Sequence, residues 1–163
     1  MFRRHALQSA IALVAVTALG ACATHAPTSQ TLADTVAKTP SLQTFNTLVA
    51  EAGLTDTLKA AGPYTVFAPS DAAFKAVPAK TLEALKQDKA LLKSVLSYHI
   101  VPSRLASAEV KPGNFKTVQG ANVALARAGT FVTVEDAMVE QADIAATNGV
   151  VHVVDRVLMP PKK

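Results

Sequence analysis

The 163-residue chain has one cysteine, no tryptophan and only two tyrosines. A single cysteine excludes an internal disulfide, so the fold must be held by packing and hydrogen bonds alone. Tyrosine and tryptophan are the usual anchors of protein interfaces. Their scarcity points to partner contacts of modest affinity, or contacts made avid by many copies on a surface. Lys and Arg outnumber Asp and Glu by 16 to 12. No basic cluster with interleaved aromatics goes with that excess, which argues against nucleic acid as a partner. A Gly-x-Ser-x-Gly elbow is also missing. Beyond the N-terminal region the histidines are His25, His99 and His152, too few and too scattered for the three or four ligands of zinc. No catalytic residues, metal site or cofactor are therefore expected.

What is present begins with a leader. Arg3 and Arg4 form a short basic region, and Ala10 to Leu19 is an apolar core too short to span a bilayer. Small residues follow, as in a secretory signal peptide. The Arg3-Arg4 pair fits a twin-arginine signal poorly, so the general secretory route is expected. Leu19-Gly20-Ala21-Cys22 resembles a bacterial lipobox, in which cleavage precedes a cysteine that then carries diacylglycerol. Conventional cleavage nearby is the alternative, and it would leave a free thiol, unusual in an oxidising compartment. Lipidation of Cys22 is the favoured reading. Several acyl chains anchor a protein stably at a membrane without spanning it. The expected organisation is a signal peptide over 1–21, a lipidated cysteine and tether over 22–31, and one domain over 32–161. Removing the leader also takes two arginines, so the pI of 9.3 overstates the basicity of the mature protein. Ala23 stands where an aspartate would mark inner-membrane retention. The expected location is exported and membrane-anchored, at the outer membrane, in the periplasm or on the cell surface.

Within the domain, Leu42, Phe45, Leu48, Val49 and Ala52 form one stripe at helical spacing, with Gly53 as a stop. A second short helix is expected over Thr55–Ala61, with Leu54 and Leu58 inward, ended by Gly62-Pro63. Tyr64–Ala68 reads as a strand, followed by a turn whose Ser70 or Asp71 caps a helix through Phe74 to Val77. Thr81 to Ser97 is helical, broken near Asp88, with Leu91, Leu92, Val95 and Leu96 inward. Tyr98–Val101 is expected to leave that helix extended. Short strands follow over Phe115–Val118, Val123–Ala126, Phe131–Val134 and Ala137–Glu140. Asn148-Gly149 then marks a tight two-residue turn with positive φ at both positions. The β-branched arm Val150–Leu158 has no purely polar face, and reads as a central strand packed on both sides. Helices first and strands second make an α+β domain.

Three stretches, in order, resemble the signatures of the fasciclin domain family. They are Thr65-Val-Phe-Ala-Pro-Ser-Asp-Ala-Ala-Phe74, Val95-Leu-Ser-Tyr-His-Ile-Val-Pro102 and Asn148-Gly-Val-Val-His-Val-Val-Asp-Arg-Val-Leu-Met-Pro160. One departure is Ser103, where the family often has glycine. The resemblance implies a wedge-like β-sandwich with a layer of short helices in a single domain. It also implies a non-catalytic adhesion or interaction module whose partner is a protein or polysaccharide of the envelope, matrix or a host surface. In animal relatives the Tyr-His segment is linked to receptor binding, which makes Tyr98 and His99 the candidate partner-binding residues. Their neighbours are apolar, and a structural role outweighs recognition. Asp71, His152 and Asp155 are expected to be structural. His152 and Asp155, three apart on a strand, leave opposite faces and cannot form a dyad. A carrier for a small apolar, lipid-like ligand, held between helices and sheet, is the second reading.

Overall fold

The computed structural model describes residues 30–161. The signal peptide, Cys22 and most of the tether, including His25, lie outside the described residues. Helix α1 (Leu32–Lys38) starts the domain with a capping box: Thr31 and Asp34 exchange side-chain and backbone hydrogen bonds. This helix was not expected from periodicity, being too short to show any. The signal for it is the Thr31-x-x-Asp34 spacing, and the expected tether ends one residue early because Thr31 is that cap.

Pro40–Leu42 forms a 3₁₀ turn leading into α2 (Gln43–Glu51), whose Phe45, Leu48 and Val49 are buried. Gly53 then takes φ +68°, the left-handed stop expected of it. Helix α3 (Thr55–Lys59) buries Leu58 and ends before strand β1 (Tyr64–Pro69). Ser70 caps α4 (Asp71–Ala76) by accepting from the Ala73 amide. Helices α5 (Ala79–Gln87) and α6 (Lys89–Tyr98) are separated at Asp88, whose carboxylate caps α6 at Ala90 and Leu91. Of the inward stripe expected on α6, Leu92, Val95 and Leu96 are buried, whereas Leu91 is 42 % exposed.

The remaining strands are β2 (Ile100–Val101), β3 (Gly113–Lys116), β4 (Asn122–Ala128), β5 (Phe131–Val134), β6 (Ala137–Ala146) and β7 (Gly149–Val154). They form one sheet in the order β2-β1-β7-β6-β5-β4-β3, with β1 and β7 parallel and the other pairs antiparallel. Every residue of β7 is buried, as a central strand requires. Val151 and Val153 face a core shared with α1, α2, α4 and α6; Val154 faces a second core with Phe67, Val123, Leu125, Val132 and Val134. The sheet therefore curls so that β3–β5 cover the back of β1 and β7. Register shifts in β6 between Val139 and Ile144, with Asp143 at φ +59°, mark where it bends. A helical layer on one face and a folded-over sheet on the other give the expected α+β wedge.

The hairpin between β6 and β7 lies where the Asn-Gly pair placed it, with different geometry. Ala146 pairs with Gly149, so Thr147 and Asn148 are the two turn residues and neither has positive φ. Gly149 is the first strand residue. A Cβ there would lie 2.0 Å from the Tyr64 carbonyl oxygen, so glycine is needed for the close approach of β1. Asn148 is needed for its amide, which donates to the Leu58 and Ala60 carbonyls and accepts from the Leu32 amide. One side chain thus ties α1 and α3 to the turn.

Candidate functional site

Tyr98 and His99 sit where α6 meets β2. Tyr98 is the last helical residue and His99 keeps helical dihedrals as its cap, so the extended segment begins only at Ile100. The helix carries its apolar stripe through both residues. His99 is fully buried beside Phe45, the ring centroids 6.3 Å apart. Its Nδ1 is 2.8 Å from the Val95 carbonyl, and the Leu158 amide donates to Nε2 at 3.0 Å. A carbonyl only accepts and an amide only donates, so these partners fix a neutral ring with the proton on Nδ1. Burial pushes its pKa from 6.5 down to about 4.

The Tyr98 ring packs into the second core, and its hydroxyl lies 2.9 Å from the Asn122 carbonyl and 3.1 Å from Glu135 Oε1. Burial, and then the Glu135 carboxylate, push the hydroxyl pKa up to about 12. Tyr98 and His99, the candidate partner-binding residues, are thus both buried, at 2 % and 0 % exposure. Both side chains are consumed inside the domain, and in this conformation only the Tyr98 hydroxyl reaches a cleft wall.

His152 is likewise spent on backbone. Its Nε2 donates to the Leu105 carbonyl at 2.7 Å, Nδ1 accepts from the Asp143 amide at 3.2 Å, and its ring stacks on Phe67 at 5.5 Å. Burial lowers its pKa, opposed by the Leu105 bond and the Asp143 charge. The Asp143 carboxylate accepts from the Ser107 amide and hydroxyl. Sequence reasoning missed this Ser107–Asp143–His152 grouping, because a bulge brings Asp143 to His152. It resembles a catalytic triad in composition only. Neither ring nitrogen is available to a nucleophile, and the serine hydroxyl faces the carboxylate instead of the imidazole.

The two acidic residues are placed structurally as well. Strand β7 ends at Val154, earlier than expected, and half-buried Asp155 follows it. Its carboxylate accepts from the Met138 amide at 2.7 Å while its own amide donates to the Met138 carbonyl. Asp71 opens α4, where Ser70 already caps, and its carboxylate reaches across to accept from the Thr44 amide of α2 at 2.7 Å. Burial raises the Asp71 pKa, and the bonds from Thr44 and Gln43 outweigh it and hold the carboxyl low. No group of three or more possible metal ligands exists among the described residues.

Two adjoining clefts flank the segment after β7. An apolar one of about 760 Å³ lies between α4, α5, α6 and the segment after β7, with Val77, Pro78, Leu91, Val157 and Met159 on its walls. A polar one of about 470 Å³ lies on the other side of that segment, with Tyr98, Glu135, Asp136 and Arg156.

The three signature stretches converge in the sheet order β2-β1-β7, with Phe67 on β1 registered against His152 on β7 and His99 bonded to Leu158. The family profile of the Fasciclin domain matches residues 40–160. This chain belongs to the fasciclin domain family. Protein sll1483 of Synechocystis sp. is 42 % identical over 124 residues, covering 73 % of this chain and 69 % of that protein. Immunogenic protein MPB70 of Mycobacterium bovis is 41 % identical, and the match covers 68 % of this chain and 56 % of MPB70. Cell surface glycolipoprotein MPB83 of the same species is 38 % identical, with 68 % of this chain and 50 % of MPB83 covered. The chain thus spans about half the length of these mycobacterial relatives. A solved FAS1 domain pair from the insect cell adhesion molecule Fasciclin I superposes with a TM-score of 0.61 at 25 % identity, covering 72 % of this chain and 45 % of the pair. In this fasciclin domain the signature histidines and aspartates join strands and helices together. Ser103, the departure from the family pattern, takes no left-handed φ and accepts from the Thr65 hydroxyl through its carbonyl.

Proposed function

We propose that this fasciclin domain is a non-catalytic adhesion or interaction module of the cell envelope or surface, exported and tethered to a membrane through a lipidated Cys22. One observation carries the reading. Tyr98, His99, Asn148, His152, Asp71 and Asp155 of its signature motifs are spent on internal hydrogen bonds, which leaves contact with partners to the outer surface. The relatives' names agree, one being a cell surface glycolipoprotein and another a cell adhesion molecule. The surface best suited to contact is the outer face of β4–β6. Register and strand alternation place Ala124, Ala126, Ala128, Phe131, Thr133 and Met138 on it together. Phe131 is 60 % exposed and Met138 is 47 % exposed. The partner class is a protein or polysaccharide of the envelope, matrix or a host surface.

The test is capture on beads from envelope extract, matrix proteins and polysaccharides, comparing the protein with a Phe131→Asp/Met138→Lys version of unchanged circular dichroism. A macromolecule retained by the first and lost by the second supports the reading; retention of none overturns it. Cys22→Ser is expected to move the protein from the membrane to the soluble fraction.

A second reading, a carrier of a small apolar ligand, is favoured by the apolar cleft between α4–α6 and the segment after β7. Lipid co-purifying with the protein would support it.

A further inference from the structure

The apolar and polar clefts are not independent. Arg156, Val157 and Met159 line both, so the segment 155–160 is a shared wall with an apolar chamber on one side and a polar chamber on the other. The two chambers differ in chemistry. Leu91 and Met159, at 42 % and 45 % exposure, leave apolar surface uncovered at the mouth of the first. Both side chains stand on the wall of that cleft beside Val77, Pro78 and Val157, so their apolar surface is continuous with its lining. The second holds the Tyr98 hydroxyl, the Glu135 and Asp136 carboxylates and the Arg156 guanidinium. Neither Asp136 nor Arg156 has a hydrogen-bond or ion-pair partner among the described residues. Both volumes fall in the range of small-molecule sites, roughly 300–1,000 Å³.

We propose that the two clefts form one site for a single amphiphile with an apolar chain and a zwitterionic head. The chain lies against Val77, Pro78, Leu91 and Met159. The head crosses the shared wall, its anionic group meeting Arg156 and its cationic group meeting Asp136 and Glu135. Charge complementarity selects the head: an anionic head without a cation would leave the Asp136 carboxylate unpaired beside that of Glu135, which already accepts from the Tyr98 hydroxyl and the Ala124 amide, and a cationic head alone would leave Arg156 unpaired. A lipid of the phosphatidylethanolamine class has this chemistry. The inference rests on the carrier reading and adds the ligand class to it.

The experiment uses protein made from the whole sequence with Cys22→Ser, so that no acyl chain of its own competes. Isothermal titration compares two monomeric probes with the same hexanoyl chain, lyso-phosphatidylethanolamine and lyso-phosphatidylglycerol. The ethanolamine probe is expected to bind about fivefold tighter, the scale of one partly exposed charge pair. Leu91→Asp, which places a charge against the chain at an already exposed position, is expected to weaken both probes by about tenfold or more. Asp136→Lys is expected to abolish the preference while leaving the glycerol probe bound. Equal binding of the two probes overturns the head assignment and leaves the carrier reading standing. No saturable binding of either probe overturns both.

Discussion

At the scale of the residue, Gly149 shows how a motif can be read correctly for an incorrect reason. The Asn-Gly pair marks the hairpin, but the glycine serves the neighbouring strand. A methyl at position 149 would meet the Tyr64 carbonyl at 2.0 Å and the Leu32 side chain at 2.9 Å. Backbone cannot yield as a side-chain tip can, so β1 and β7 must separate at their first parallel pair. Gly149→Ala is expected to destabilise the domain by roughly 3 kcal/mol, the upper end for overpacking. Gly53 is the internal control, because open space surrounds it and only its φ of +68° resists a side chain. Gly53→Ala is expected to cost about 1 kcal/mol. Urea midpoints of the two variants check the order, and a Gly149→Ala protein as stable as Gly53→Ala would refute the close-approach argument. Nothing in a single sequence separates these two glycines, since the first depends on a strand some 85 residues away.

At the scale of the element, local signals were legible and crossing partners were not. Helical stripes, Gly53, Pro78 and Asp88 mark α2 through α6 because periodicity and capping are encoded within one turn of the chain. The α1 helix escaped, having one capping box and only seven residues. The Tyr98-His99 segment is expected to be extended together with Ile100 and Val101, yet the α6 stripe governs both residues. Asp71 illustrates the limit most clearly. Its place before an apolar helix reads as a cap, but Ser70 caps that helix and Asp71 caps α2, 27 positions earlier. Removing the carboxylate therefore uncouples α2 from α4 as well as leaving the Thr44 amide without its acceptor. Asp71→Ala is expected to cost about 1 kcal/mol, the usual worth of an N-cap, and Asp71→Asn less, since the amide oxygen still accepts. Hydrogen exchange at the Thr44 amide is the direct measurement. Exchange in Asp71→Ala that stays as slow as in the parent would show that the bond does not hold α2.

At the scale of the whole molecule, the two buried histidines make stability depend on pH. His99 joins α6 to the segment after β7, and His152 joins β7 to the β6 bulge and the Leu105 loop. Each accepts one backbone N–H on a ring nitrogen, and a proton on that nitrogen would set two donors face to face. Burial lowers both pKa values, that of His99 from 6.5 to about 4. The unfolded chain therefore binds protons that the native state refuses. Stability is full above about pH 6.5, declines as pH falls from there towards 4, and the His99 contribution is spent below that. Its shift corresponds to about 3 kcal/mol, with His152 adding in the same direction. That is a large part of the 5–15 kcal/mol typical of a domain. Urea midpoints measured from pH 7.5 down to 4.5 are expected to fall steadily, at unchanged m-value. His99→Gln, whose amide can still donate to Val95 and accept from Leu158, is expected to be less stable at neutral pH yet to show a shallower slope. A midpoint independent of pH across this window would mean that the histidines take up their protons without breaking the junctions.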